Sequence, residues 1–599
     1  MTQGESAPKQ RSRHRSRRSG SRARLRRTLV TVLVVACLLF LGVGWIGLRG
    51  WQARGHLLSA AGLARELGQQ VLAGDSEQAA RTLSALQTQA GAARSATGDP
   101  AWRAAGHVPY GGDDLSAVRD IAAAVDDLAR HAFPSLLRLD LDTLVPKAGR
   151  LDLARLQAAA PELSTADAAV RQAGVRVAAI RSAGLQAPVR EAVEELRAEL
   201  DRLSDLTSTA RHGAVLLPPL LGAGGPRTYL VAFQNLAEPR STGGIFGAYA
   251  VLRADQGRVQ ILKQGAASEL GAFDTPVSKL DQDMRGLYTD LLGIYPADVN
   301  LTPHFPTAAA LFREMYRRRT GTVVDGVLAT DPVTLSYLLE AIGPVPVPKH
   351  PTLTSATAVK TLLSEAYDRI TAPRDQDRYF ATAAMSVFNA LLTRPVDPRK
   401  LLAAMDRAVA ERRILFWSAH PAEQDDLVDT PVAGVLPEQE AIPTVGAFLN
   451  DGTGSKLGYY LTRSAELAVG GCRPDGRREL KLRLTIGSTA PSKGLSNSVL
   501  GLQLPGDPYR NRVVAYVFSP VGGSPVRARL DGAATPIGGG TERGRRVAVL
   551  SVDIAPGKTR ELEVDLLTPV TRAGTAQLWL TPGATPWTTR VIPATTCEQ

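Results

Sequence analysis

The period of the hydrophobic pattern changes twice along this 599-residue chain, and each period admits only one kind of layer. From Arg54 to Leu216 apolar residues recur at helical spacing: Val189, Val193, Leu196, Leu200 and Leu203 share one stripe, with Glu, Arg and Asp between them. From Leu217 to about Asn450 strand and helix signals alternate, the pattern of a layered α/β domain. From Lys456 onward the period is two. Leu480, Leu482, Leu484 and Ile486 alternate with Glu479, Lys481, Arg483 and Thr485, and Leu562, Val564 and Leu566 alternate with Glu561, Glu563 and Asp565. The expected fold class is therefore an α/β multidomain protein. It comprises a helical bundle or stalk over 54–216, an α/β core over 217–455 and a C-terminal β-sandwich over 456–599.

The first fifty residues add a further expectation. Thr28–Leu48 is an uncharged, mostly apolar run of 21 residues, and a bilayer core asks for about 20 residues of helix. It reads as one transmembrane helix over 28–48 preceded by a basic tail over 1–27. Lys9 and nine arginines against Glu5 give that tail nine of the twelve net positive charges, so the high pI belongs to the tail. The positive-inside tendency then puts the tail in the cytoplasm and roughly 550 residues outside, as a single-pass cell-membrane protein. The adjoining apolar run weighs against nucleic acid as the partner of Arg11–Arg27. Cys37 falls in that run, which leaves Cys472 and Cys597 as the pair in the exported part. In an oxidising compartment they read as a disulfide closing the strand-rich segment; two unpaired thiols are the alternative.

Local signals place the elements of the core. Asp255-Gln256-Gly257 joins two strands in a hairpin. Thr307 reads as the cap of a helix through Arg319, with Gly321 ending it. Asp331-Pro332 is an N-cap followed by proline at the first helical position, and Asp397-Pro398 repeats the device.

Thr228–Tyr249 carries the candidate site. It reads as strand, Pro/Gly-rich turn and strand, with Glu238, Arg240 and Thr242 on the turn. Gly243, Gly244 and Gly247 would let the backbone approach a ligand closely. Arg240 either clamps an anion or pairs with Glu238 to pin the turn. Asp298 and Asn300, ahead of Pro303 and Pro306, either line the pocket or make Asx-turns. Asp281-Gln282-Asp283 has the spacing of a metal-holding acid pair, yet its place before a helix favours a solvated first turn. The histidines are scattered, without metal-ligand spacing, and no phosphate loop, nucleophile elbow or dinucleotide fingerprint is present.

Gln234-Asn235, then Ala237–Gly247, Asp298–Pro306, Asp325-Gly326-Val327, Asp331-Pro332 and Leu338–Pro344, with Leu415–Pro421 and Lys456–Leu461, resemble the domain-of-unknown-function 4012 family. The resemblance spans roughly Arg227 to Tyr460 and implies a single-pass, exported envelope protein. The order of elements is also distantly similar to the LytR-CpsA-Psr family of wall-glycopolymer transferases. That similarity implies a polyprenyl pyrophosphate ligand held by arginines, acids and Mg²⁺. The Arg-Ser-Asp triplet of that family stands here as Arg240-Ser241-Thr242, so the acid that would hold a metal is missing.

Two functions follow as expectations. One is an enzyme or binding domain for a lipid-linked or anionic envelope glycopolymer, with Arg240, Thr242, Gly243, Gly244, Asp298 and Asn300 at the ligand. No metal site is expected, and Mg²⁺ enters only for transferase-like chemistry. The other is a non-catalytic envelope scaffold or protein-interaction module.

Overall fold

The computed structural model describes residues 20–73, 75–109, 111–138, 150–502 and 506–595. The chain forms two compact units, one of residues 1–139 with 159–211, the other of 140–158 with 212–599.

The first unit is helical among its described residues. Helices Gly20–Ala73, Ser76–Thr97 and Gly112–Asp127, with the greater part of Leu153–Ala178 and of Ala187–Leu220, supply most of it. On the predicted stripe Val193 and Leu200 are buried, and Val189, Leu196 and Leu203 pack beside them against Val170, Ala173 and Val177. Asp167, fully buried, is held by Arg171, Arg211 and Thr207.

The fold class needs one correction. Among the described residues no helix is long and apolar enough to cross a membrane. Thr28–Leu48 lies inside the helix Gly20–Ala73, and residues 28–32, 34–36 and 38–39 of that run fall outside those whose side chains are described. The helix does not end with the apolar run. It continues through Arg49, Arg54, Arg65 and Glu66, while Ala60 and Leu67 turn inward onto Ala79, Leu83 and Leu86.

The second unit opens with a five-stranded sheet. Strands β1 (Arg227–Arg240), β2 (Gly243–Asp255) and β3 (Arg258–Ala266) form an antiparallel meander. Strand β4 (Gly326–Thr330) lies parallel to β1. After a small hairpin of β5 (Val345–Val347) and β6 (His350–Leu353), β7 (Leu415–Ser418) pairs antiparallel with β4, giving the order β3-β2-β1-β4-β7. Period two sorts the helices to the two faces. Val327 and Ala329 face helix Phe305–Thr320, where Phe312 meets Phe246 edge-on at 5.1 Å. Leu328 faces helices Pro332–Ile342 and Pro398–Ala410.

The sandwich follows. One sheet contains β8 (Thr444–Asp451), β11 (Asn511–Phe518), β14 (Gly538–Glu542), β15 (Arg545–Ile554) and β17 (Gln577–Leu580). The other contains β9 (Leu461–Cys472), β10 (Arg478–Ser488), β12 (Ser524–Leu530), β13 (Ala533–Thr535), β16 (Thr559–Leu567) and β18 (Thr588–Ile592). Leu480, Leu482, Leu484 and Ile486 meet Val513, Ala515, Val517 and Leu550 between the sheets. The alternate residues Phe448, Tyr516 and Phe518 point the other way, into the same core as Leu292, Val299 and Phe305. The first sandwich sheet is thus buried on both faces, with the α/β layer against its back.

Local signals resolve in detail. Asp331 and Asp397 accept hydrogen bonds from Thr334 N and Arg399 N, and Asp281 accepts one from Met284 N. Helix Phe305–Thr320 is entered through His304 rather than Thr307, because Pro306 already lies in its first turn. The Thr307 hydroxyl instead meets His304 Nδ1 at 2.9 Å.

Candidate functional site

Strand β1 carries three more residues than β2 at its far end. Asn235 pairs with Ile245 and Pro239 with Gly244, so Leu236–Glu238 bulge from the ladder, with Leu236 and Ala237 buried, and Ser241-Thr242 closes the turn. Gly244 sits against Asn235, where a Cβ would lie 2.1 Å from that residue's carbonyl oxygen. Gly243 holds φ at +141°. These two glycines serve a tight approach of backbone to backbone.

All six candidate residues come together here, and their polar groups turn inward. The Arg240 side chain is one-tenth exposed. Its Nη2 donates to Asp298 Oδ1 at 3.1 Å, Nε to the Ala297 carbonyl at 3.2 Å and Nη1 to the Pro239 carbonyl at 3.0 Å. The expected alternative partner, Glu238, instead accepts from Asn235 Nδ2 and lies 3.3 Å from Lys456 Nζ. Burial raises the pKa of Asp298, against the opposing pull of Arg240.

Thr242 donates to Gln234 Oε1 at 2.8 Å and accepts from Asn300 Nδ2 at 2.9 Å. Asn300 also donates to the Gly244 carbonyl. The Asn300 Oδ1 and Gln234 Nε2 atoms are buried without a hydrogen-bond partner. Ser241 binds the sandwich. Its N–H donates to Asn450 Oδ1 at 2.9 Å, and its carbonyl accepts from Thr581 Oγ1 at 3.2 Å. Nearby, Glu542 of β14 accepts from Tyr288 and Thr302, and burial raises its pKa.

These residues do not fit a divalent cation. Asp298 is the acid beside Arg240, and its Oδ1 already faces the guanidinium; Thr242 stands where a second acid would be needed and is bonded to amides. Among the described residues no group of three or more His, Cys, Asp or Glu side chains could hold a metal. Asp325 and His420, both in the tracts that resemble the family, meet elsewhere at 2.9 Å. There Asp325 also accepts from Thr228 N, tying β4 to the start of β1.

Of the two cysteines, Cys597 lies outside the described residues. Sequence reasoning missed a second place, the cleft beside β17. Its lining includes Arg412, Trp579 and Trp587, which are far apart in the chain and carry no local signature.

Residues 224–367 match the family described as a protein of unknown function, DUF4012. No curated protein matches the chain.

Proposed function

We propose that this chain is a non-catalytic scaffold of the cell envelope, an interaction module in which the turn around Arg240 joins the α/β layer to the sandwich. The seat of Arg240 carries the reading. Its guanidinium is directed to Asp298 and two carbonyls, and the adjoining Ser241 is bonded on both its N–H and C=O to sandwich residues. An arginine that clamps a mobile anion keeps its fork open to solvent. A transferase reading, after the LytR-CpsA-Psr resemblance, also asks for an acid free to hold Mg²⁺, and Asp298 is already paired.

The test is turnover. Purified full chain is incubated with a polyprenyl-pyrophosphate-linked saccharide, an acceptor glycan strand and Mg²⁺, and released phosphate and transferred saccharide are followed by mass spectrometry. We expect no release above the protein-free control; transfer that requires the protein would overturn the reading.

The same proposal places the sandwich outside the cytoplasm, with Cys472 bonded to Cys597. Two observations support the pairing. Strand β18 runs parallel to β9 with Ile592 opposite Ala468, so the last described strand before Cys597 lies beside the strand that ends at Cys472. Arg478, the β10 partner of Cys472, donates to the Thr595 carbonyl at 2.6 Å.

A further inference from the structure

A cleft of about 1210 Å³ lies where residues 410–413 and 428–439 of the α/β layer pass the edge strands β17 and β18. Arg412 stands in it. Its backbone is left-handed, with φ at +57°, a conformation that non-glycine residues adopt reluctantly. Its guanidinium lies over the Trp579 indole, 3.3 Å from the ring centroid. A guanidinium stacked by its face keeps its N–H donors in the plane, directed outward as a fork.

The charge of Arg412 has no counterpart. Among the described residues no acid lies within ion-pair distance of it. Burial alone pushes its pKa below the ordinary arginine value, with no neighbouring charge acting on it. Other charges along the cleft are matched: Glu411 by Arg407 and Arg413, and Arg543 by Glu438. Asp429 is exposed and unmatched, which favours a ligand with sparse rather than dense negative charge. A strained, half-buried and unpaired cation is costly to hold, and a bound anion with two oxygens offsets that cost.

The rest of the wall narrows the ligand class. Trp579 gives one face to Arg412, so the indole left to a sugar ring is Trp587, which also lines the cleft and has Arg463 5.2 Å from its ring centroid; the C–H face of a pyranose suits the electron-rich face of an indole. An added peptide strand fits poorly, because β17 has four residues and is followed, after Thr581, by Pro582 and then Pro586, which block a continuous hydrogen-bonded edge. We propose that the cleft beside β17 binds an acidic saccharide, with one sugar carboxylate on the Arg412 fork and a ring against the Trp587 indole. This site is separate from the Arg240 turn, and it stands or falls independently of the scaffold reading.

The experiment is calorimetric titration of the full chain with an oligogalacturonate, its methyl-esterified form and a peptide with a free C-terminal carboxylate. Each titration is repeated with Arg412→Asn, since asparagine tolerates left-handed backbone. We expect the acid form to bind, the ester at least tenfold more weakly, and Arg412→Asn to lose at least tenfold while its melting temperature stays level or rises. The proposal is overturned by any of four results: no binding of the acid form at millimolar concentration, equal binding of the ester, binding unchanged in Arg412→Asn, or preference for the peptide. A lower melting temperature in Arg412→Asn would also overturn it, because Arg412 would then be a structural pin.

Discussion

Replacing Arg240 by alanine separates a structural pin from a ligand clamp. Removing one partner of a buried, hydrogen-bonded ion pair costs about 3–5 kcal/mol. The Asp298 side chain retains 20% exposure, so solvent screens part of the loss and about 3 kcal/mol is the expected figure. For a unit of roughly 400 residues that corresponds to a fall of about 3–6 °C in melting temperature. The sign of the pH effect follows from Asp298. A carboxyl whose folded pKa lies above its unfolded value binds its proton more tightly when folded, so its contribution to stability declines as pH rises from about 3.8 through the folded value. Without Arg240 the folded value rises further. The deficit of Arg240→Ala should therefore be largest at pH 7 and shrink toward pH 5. Adding Asp298→Asn should recover about 1–2 kcal/mol at pH 7 and remove that pH dependence. Thermal unfolding of wild type, Arg240→Ala and the double variant at both pH values measures all of this. A melting temperature within 1 °C of wild type for Arg240→Ala, with no rescue by the second change, would refute the keystone argument.

Three further outcomes are expected. Gly244→Ala should cost about 4 kcal/mol or prevent soluble expression, because its Cβ would overlap the Asn235 carbonyl, whereas Gly247→Ala, whose Cβ would sit 3.7 Å from Asn235 Cβ, should cost under about 1 kcal/mol; expression yield and urea midpoints decide it. Burial lowers the His304 pKa from 6.5 to about 3, so the fold favours its neutral form and stability should be lost as pH falls from 6.5 toward 3, by at most about 1.4 kcal/mol per unit; His304→Asn, whose amide can replace Nδ1 toward Thr307, should flatten that limb in urea titrations. Non-reducing peptide mapping should recover a peptide joining Cys472 to Cys597, and Cys597→Ser should lower stability by about 2–4 kcal/mol.

What could be read beforehand was local. The alternation through Leu480–Ile486, the Asp331-Pro332 start and the Asp255–Gly257 turn each state a hydrogen bond or a facing within a few residues, and the structure has all three. Arg240, Thr242, Gly243 and Gly244 were also legible as one site, because they share one short turn, whereas Asp298 and Asn300 join them from a distant loop. Their purpose was not. Arg240 finds Asp298 58 residues on instead of Glu238 two residues back, and Glu238 is taken by Lys456; neither choice has a signature in spacing. Strand β8 is buried from Thr444 to Asn450, and such a run reads equally as core strand or sandwich strand. Arg412 follows a helix end like any surface arginine, and only the approach of β17 places it on an indole.

The reach of the family match bears on how the molecule folds. The matched segment ends at residue 367, yet the groups that satisfy its turn lie beyond it: Asn450 for Ser241 N–H and Thr581 for the Ser241 carbonyl. The apolar back of the α/β layer is likewise finished by Phe448, Tyr516 and Phe518, with Tyr516 stacked on Tyr288 at 5.5 Å. A chain stopped after Pro443 would expose that face and leave the buried backbone polar groups of Ser241 without partners, each at about 1–3 kcal/mol. Native-state stabilities of 5–15 kcal/mol do not absorb both losses. Truncation at 443 should therefore yield an aggregated or dye-binding product, while supplying 444–599 as a separate chain in co-expression should restore a soluble complex. A stable, monomeric 212–443 fragment with native circular dichroism would show that the layer closes on itself, and would return Arg240 to an open surface where an anion could reach it.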